Sequence, residues 1–126
     1  MIGSAPILLA RDLAETISFW RDRVGFTKVT TFGEPPGFAI LRRDGCTLMY
    51  AQAGMDAAIT PHWQVVEKTA NVYFWVDDVV GFYDEVVRAG GLKPDWDLCE
   101  QPYGVREFGL QDPNGYDVAF GQVIDA

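Results

Sequence analysis

Apolar and polar positions alternate along this chain in two different periods, and each period marks an element. Pro6-Ile7-Leu8-Leu9-Ala10 is a short apolar run and predicts a strand. Asp12 follows as an N-cap, with Glu15 three residues on, and Leu13, Ile17, Trp20 and Val24 then recur at helical spacing. Gly25 fits the C′ position, so a helix is expected over Leu13–Val24. Three strands come next, at Phe26–Phe32, Phe38–Arg42 and Cys46–Ala51. They are separated by Glu34-Pro35-Pro36-Gly37 and by the hairpin turn Asp44-Gly45. The first half therefore reads β-α-β-β-β.

The second half repeats that order. Residues 71–76 alternate, with Val72, Phe74 and Val76 on one face and Asn71, Tyr73 and Trp75 on the other. Asp78 caps a second helix, whose stripe is Val79, Phe82, Tyr83, Val86 and Val87 and whose end is Gly90-Gly91. An extended segment at Leu92–Leu98, a loop at 101–104, and strands at Val105–Gln111 and Tyr116–Gln122 around Asp112-Pro113-Asn114-Gly115 complete it. Asp12 matches Asp78, Phe19-Trp20 matches Phe82-Tyr83, and Gly25 matches Gly90, all at an offset near half the chain. The expected architecture is α+β: tandem βαβββ modules at 5–52 and 70–122, joined by a connector at 53–69, with a curved mixed sheet around a pocket. The connector holds His62 and Trp63 and has room for a short helix.

Composition narrows the function classes. The chain has 126 residues, 48% hydrophobic and 22% charged, which suits one globular domain. Eighteen acids against ten bases give a formal charge of −8, which argues against nucleic acid and favours cationic ligands. No apolar run is long enough for a membrane span. Met1-Ile2-Gly3-Ser4 has no basic, apolar signal-peptide pattern, and Cys46 and Cys99 make no disulfide framework, so a cytoplasmic protein is expected. The two serines form no G-x-S-x-G elbow, and there is no glycine-rich phosphate loop.

The residues resemble the vicinal oxygen chelate superfamily of glyoxalases, extradiol dioxygenases and fosfomycin- and bleomycin-resistance proteins. The resemblance rests on strand–Arg11-Asp12-Leu13–helix–Gly25-Phe26, on Val76-Asp77-Asp78-Val79 and on Asp112-Pro113-Asn114-Gly115. Pro102-Tyr103-Gly104-Val105-Arg106-Glu107-Phe108, with Phe120-Gly121-Gln122 after it, is most similar to the bleomycin-resistance-type branch. The metal enzymes of the superfamily hold a divalent cation with His or Glu from four strands. The resemblance places those positions at Ala5, Met49, Asn71 and Ala119. None is His, Asp or Glu, so no cofactor is expected.

An apolar and aromatic pocket is expected instead, lined by Phe38, Met49, Asn71, Tyr73, Trp75, Trp96, Tyr103, Arg106, Glu107 and Asp117. Ile7 and Leu9 share the face of Ala5, and Thr47 and Ala51 that of Met49. Asp95, Asp97 and Glu100 near Trp96 favour a positive charge, and Glu107 and Asp117, on partner strands, are expected close together. These features point to a binding protein that sequesters a small aromatic or cationic molecule without modifying it. The resemblance implies a homodimer with paired modules, in which the N-terminal strand is often exchanged. The alternatives are a glyoxalase-like lyase or dioxygenase with a relocated metal, using for example Glu107 or Asp117, and an interaction subunit with a filled pocket.

Overall fold

The computed structural model describes residues 1–124. The chain divides into two compact units, with the boundary between Ile59 and Thr60. The first unit runs β1 (Ile7–Ala10), α1 (Leu13–Ser18), β2 (Lys28–Phe32), β3 (Phe38–Arg43) and β4 (Cys46–Gln52). The second runs β5 (Val72–Trp75), α2 (Val79–Tyr83), β6 (Trp96–Gln101), β7 (Val105–Gln111) and β8 (Asp117–Val123). Each unit holds a four-stranded mixed sheet, ordered β1-β4-β3-β2 and β5-β8-β7-β6. In both, the first strand is parallel to the last and the remaining pairs are antiparallel. This is an α+β fold of two βαβββ units. No helix among the described residues is long and apolar enough to cross a membrane.

Both helices begin as the caps predict. Asp12 Oδ1 accepts the Glu15 amide at 3.2 Å and Asp78 Oδ1 accepts the Gly81 amide at 3.0 Å. A glutamine at the end of the last strand of each unit secures the same helix start. Gln52 Oε1 accepts the Leu13 amide at 2.8 Å, and Gln122 Oε1 accepts the Val79 amide at 3.0 Å.

The expected helix over Leu13–Val24 is not uniform. After Ser18 it widens into a π turn at Phe19–Arg23, and the second helix does the same at Asp84–Ala89. Both exits close with a bond one residue longer than the usual helix-ending pattern, Phe26 N–H to Trp20 C=O at 2.9 Å and Leu92 N–H to Val86 C=O at 3.1 Å. Gly25 and Gly91 take left-handed backbones there, with φ of 81° and 74°. Gly91 is therefore the structural partner of Gly25, and Val86 that of Trp20. The pairings of Gly25 with Gly90 and Trp20 with Tyr83 are corrected accordingly. Both true pairs keep the offset between Asp12 and Asp78.

The helix-facing sides of the sheets form two cores. In the first unit Leu8, Ala39, Leu41, Leu48 and Tyr50 are buried with Leu13 and Trp20, and Trp20 Nε1 donates to Tyr50 Oη at 2.9 Å. In the second, Phe108 and Phe120 stack with centroids 5.4 Å apart, and Tyr83 meets Phe108 edge-on. The segment 53–69 contains one 3-10 turn, His62–Gln64. Arg11 donates to the carbonyl oxygens of Gly54 and Ala57 in the first unit. Trp63 Nε1 donates to Gly115 C=O in the second at 2.7 Å.

One strand sits later than the alternation places it. Extended chain was expected over Leu92–Leu98, yet β6 begins at Trp96 and runs to Gln101, which the sequence assigned to a loop. Pro94 offers no ladder N–H, and pairing with β7 starts only past it, at Trp96 opposite Gly109.

Candidate ligand-binding face

With Val72, Phe74, Phe108, Val118 and Phe120 turned toward the helix, strand alternation assigns Tyr73, Trp75, Glu107, Gly109, Asp117, Ala119 and Gly121 to the other face of the second sheet. Ladder register sets their spacing. Glu107 and Trp75 both lie opposite Gly121, Tyr73 and Gly109 lie opposite Ala119, and Trp96 lies opposite Gly109. Glycine at 109 and 121 leaves the room that the rings use. A methyl group at 109 would overlap the Trp96 ring, and one at 121 would overlap the Tyr73 hydroxyl.

These side chains meet on one carboxylate. Glu107 is only 5% exposed. Its Oε1 accepts Tyr73 Oη at 3.0 Å and Tyr103 Oη at 2.6 Å, and its Oε2 accepts Trp96 Nε1 at 3.1 Å. Trp75 lies against Tyr73 with centroids 4.7 Å apart and stays 60% exposed, and Tyr103 is 64% exposed. The result is a set of rings fixed at their polar edges by Glu107, with apolar surface turned to solvent. Removal of the hydroxyls from water, and then the bond to Glu107, raise both phenol pKa values, that of Tyr103 to about 12. Cys99, opposite Glu107 in the ladder, is raised by burial and then by the charges of Glu107 and Asp97, which suits an unreactive thiol.

Several residues expected in one pocket are not brought together. Arg106 is on the helix-facing side of β7, opposite Gln122, and pairs with Glu100. Its parity is opposite to that of Glu107, its chain neighbour. Asp97 accepts the Tyr83 hydroxyl on the helix side and Glu100 pairs with Arg106, so neither carboxylate lines the face that carries Trp96. Asp117 shares the face of Glu107 but lies opposite Gln111, four residues along β7, a separation of about 13 Å. The two carboxylates are not neighbours. Asp117 is instead pushed up to about 6 by burial and then by the Asp95 carboxyl, while Gln111 Nε2, 3.3 Å away, works against that shift.

Phe38 and Met49 belong to the first unit, on the face that carries Ile7, Leu9 and Phe32 away from its helix. Phe38 faces Ala51 in the ladder, which settles its parity. Asn71 turns its side-chain oxygen to the His62 amide at 2.9 Å, closing the 3-10 turn.

The four positions where the superfamily holds a metal do not fit one here. Ala5, Met49 and Ala119 offer no hard donor, and the Asn71 oxygen serves the His62 amide. Among the described residues no group of three or more His, Cys, Asp or Glu side chains gathers where a metal ion fits.

Residues 5–120 match the model of the Glyoxalase/Bleomycin resistance protein/Dioxygenase superfamily, and the chain belongs to that family. Among its relatives, bleomycin resistance proteins of Geobacillus stearothermophilus and Staphylococcus aureus (strain N315) are each 26% identical over 133 residues, covering 98% of both chains. A solved structure of the bleomycin-binding protein from bleomycin-producing Streptomyces verticillus, complexed with copper(II)-bleomycin, superposes with a TM-score of 0.71. It is 27% identical and covers 95% of this chain and 94% of that one. A glyoxalase-related enzyme from Clostridium phytofermentans superposes with a TM-score of 0.75 at 12% identity, over 96% of this chain and 94% of that one, a likeness of fold alone.

Proposed function

We propose that this chain binds and sequesters a small aromatic or cationic molecule of the bleomycin kind, without a metal of its own and without modifying it. The observation that carries this reading is the Glu107 carboxylate, which holds Tyr73, Trp96 and Tyr103 beside an exposed Trp75. Rings fixed in advance lose little rotamer freedom when a flat ligand stacks on them. The acidic chain attracts a cation, and the bleomycin resistance proteins among its relatives point to the same ligand class. Phe38 and Met49 in the first unit, with Asn71, Arg106 and Asp117 in the second, are the remaining ligand-lining positions suggested by the sequence. Arg106 is the weakest of these, because it pairs with Glu100 across the sheet.

We further infer a cytoplasmic homodimer with paired modules. A two-fold pairing is the commonest assembly of soluble chains, and free thiols at Cys46 and Cys99 suit a reducing compartment. Sedimentation of the purified protein tests the dimer, where a monomer at tens of micromolar would refute it.

The test of function is a titration with metal-free bleomycin, followed by tryptophan fluorescence and calorimetry. Saturable quenching is expected, with the drug recovered unchanged by mass spectrometry. No heat and no quenching at high micromolar drug would refute the bleomycin reading. Stoichiometric Ni, Zn, Mn or Fe in the purified protein would refute the metal-free one.

A further inference from the structure

Among the described residues the charge of Glu107 has no cationic partner. Both of its oxygens accept hydrogen bonds, the pattern of an ionised carboxylate, and all three donors are neutral. Among the described residues no Lys or Arg forms an ion pair with it, and neighbouring Arg106 is engaged with Glu100 on the other face. A full negative charge thus sits, almost wholly buried, at the polar edges of Tyr73, Trp96 and Tyr103. A charge removed from water acts strongly on whatever docks beside it.

The rings transmit that charge. A phenol or indole that donates to a carboxylate gains electron density, which deepens the negative potential over its face. We propose that Glu107 makes this face selective for a ring that carries a delocalised positive charge, such as an N-alkylated heteroaromatic, over a neutral ring of the same shape. Glu107 acts through Tyr73, Trp96 and Tyr103, so it is a positioning and specificity residue. The inference rests on the sequestration reading and narrows its ligand class.

The raised phenol pKa values, set first by removal of the hydroxyls from water and then by the bond to Glu107, agree with it. Substitution by glutamine keeps an acceptor oxygen for the tyrosines but removes the charge. It also turns an amide N–H₂ toward the Trp96 N–H, which then loses its acceptor.

The experiment is calorimetric titration near pH 8 with N-methylquinolinium chloride and with quinoline, its neutral counterpart, on the wild-type chain, Glu107→Gln and Tyr103→Phe. The wild type is expected to prefer the cation about tenfold, within the range of cation–π contacts. Glu107→Gln should lose most of that preference, about fivefold or more in the ratio of the two affinities, because release of the Trp96 N–H weakens both rings alike while loss of the charge weakens only the cation. Tyr103→Phe removes one hydrogen bond and should lose about two- to threefold, and it carries the test if Glu107→Gln does not fold. Equal wild-type affinities for the two rings, equal losses for both in Glu107→Gln, or no binding of either ring would overturn the inference. Bleomycin quenching without ring preference refutes this inference and leaves sequestration of the drug standing. Ring preference without bleomycin binding refutes the bleomycin reading instead.

Discussion

Trp96 occupies the space above Gly109 that any other residue's Cβ would fill, and the two are register partners across β6 and β7. The indole reaches Glu107 from there, two residues along the neighbouring strand. Gly109→Ala forces the ring off its seat or the strands apart. Overpacking of this kind costs about 1 to 3 kcal/mol. Urea denaturation of Gly109→Ala is expected to show a loss in that range, together with weaker bleomycin quenching. A variant that denatures and binds like the wild type would show that the Trp96 seat is dispensable.

Gln52 and Gln122 do the same task in the two units, each receiving the first helical amide of its unit from the end of the last strand. Gln52 also donates to the carbonyl oxygens of Arg11 and Ala53 at 2.8 and 3.0 Å. Loss of a side chain that caps a helix start costs about 1 kcal/mol, within a range of about 0.5 to 2. Gln52→Ala is expected to exceed Gln122→Ala in thermal or urea denaturation, because it breaks additional bonds. Equal and negligible losses would mean that water satisfies these amides as well.

Much of this was legible in the sequence where one period dominates and a cap bounds it. Val105–Gln111 lies between the 101–104 loop and the Asp112-Pro113-Asn114-Gly115 turn, and β7 has those bounds. Asp12 and Asp78 announced both helix starts. The π turns were not legible, because Leu13, Ile17, Trp20 and Val24 satisfy an ordinary helical period and the extra residue is absorbed near Gly25. The start of β6 was obscured by Pro94, and a register shift between Trp96 and Cys99 breaks the alternation needed to read its faces. The site was half legible. Tyr73 and Trp75 were placed on one face, but Glu107 was joined to Asp117, since sequence gives a hairpin pair without its register. The unread signal was glycine inside strands. Gly109 and Gly121 mark where rings lie close over the backbone and lead to Glu107.

Asp117 gives the chain a distinctive dependence on pH. Asp117 is 7% exposed, and its pKa is pushed up to about 6 by burial and then by Asp95, with Asp112 adding to the shift and Gln111 opposing it. The unfolded chain releases the same proton near 3.8, so between these values the folded state holds more protons than the unfolded one. The contribution of this group is therefore fully present below about pH 4 and is lost as pH rises through about 6. Asparagine imitates the protonated carboxyl, with an oxygen for Gln111 and an N–H₂ for Asp95. A shift of this size, reduced for solvent around the exposed Asp95, corresponds to about 1 to 2 kcal/mol. Asp117→Asn is expected to be more stable than the wild type by that amount near pH 7.5, with the difference vanishing toward pH 4. Urea denaturation of both chains across that interval measures it. A constant difference would mean that Asp117 titrates alike in the folded and unfolded states, and a wild type that gains on Asp117→Asn as pH rises would reverse the assigned sign.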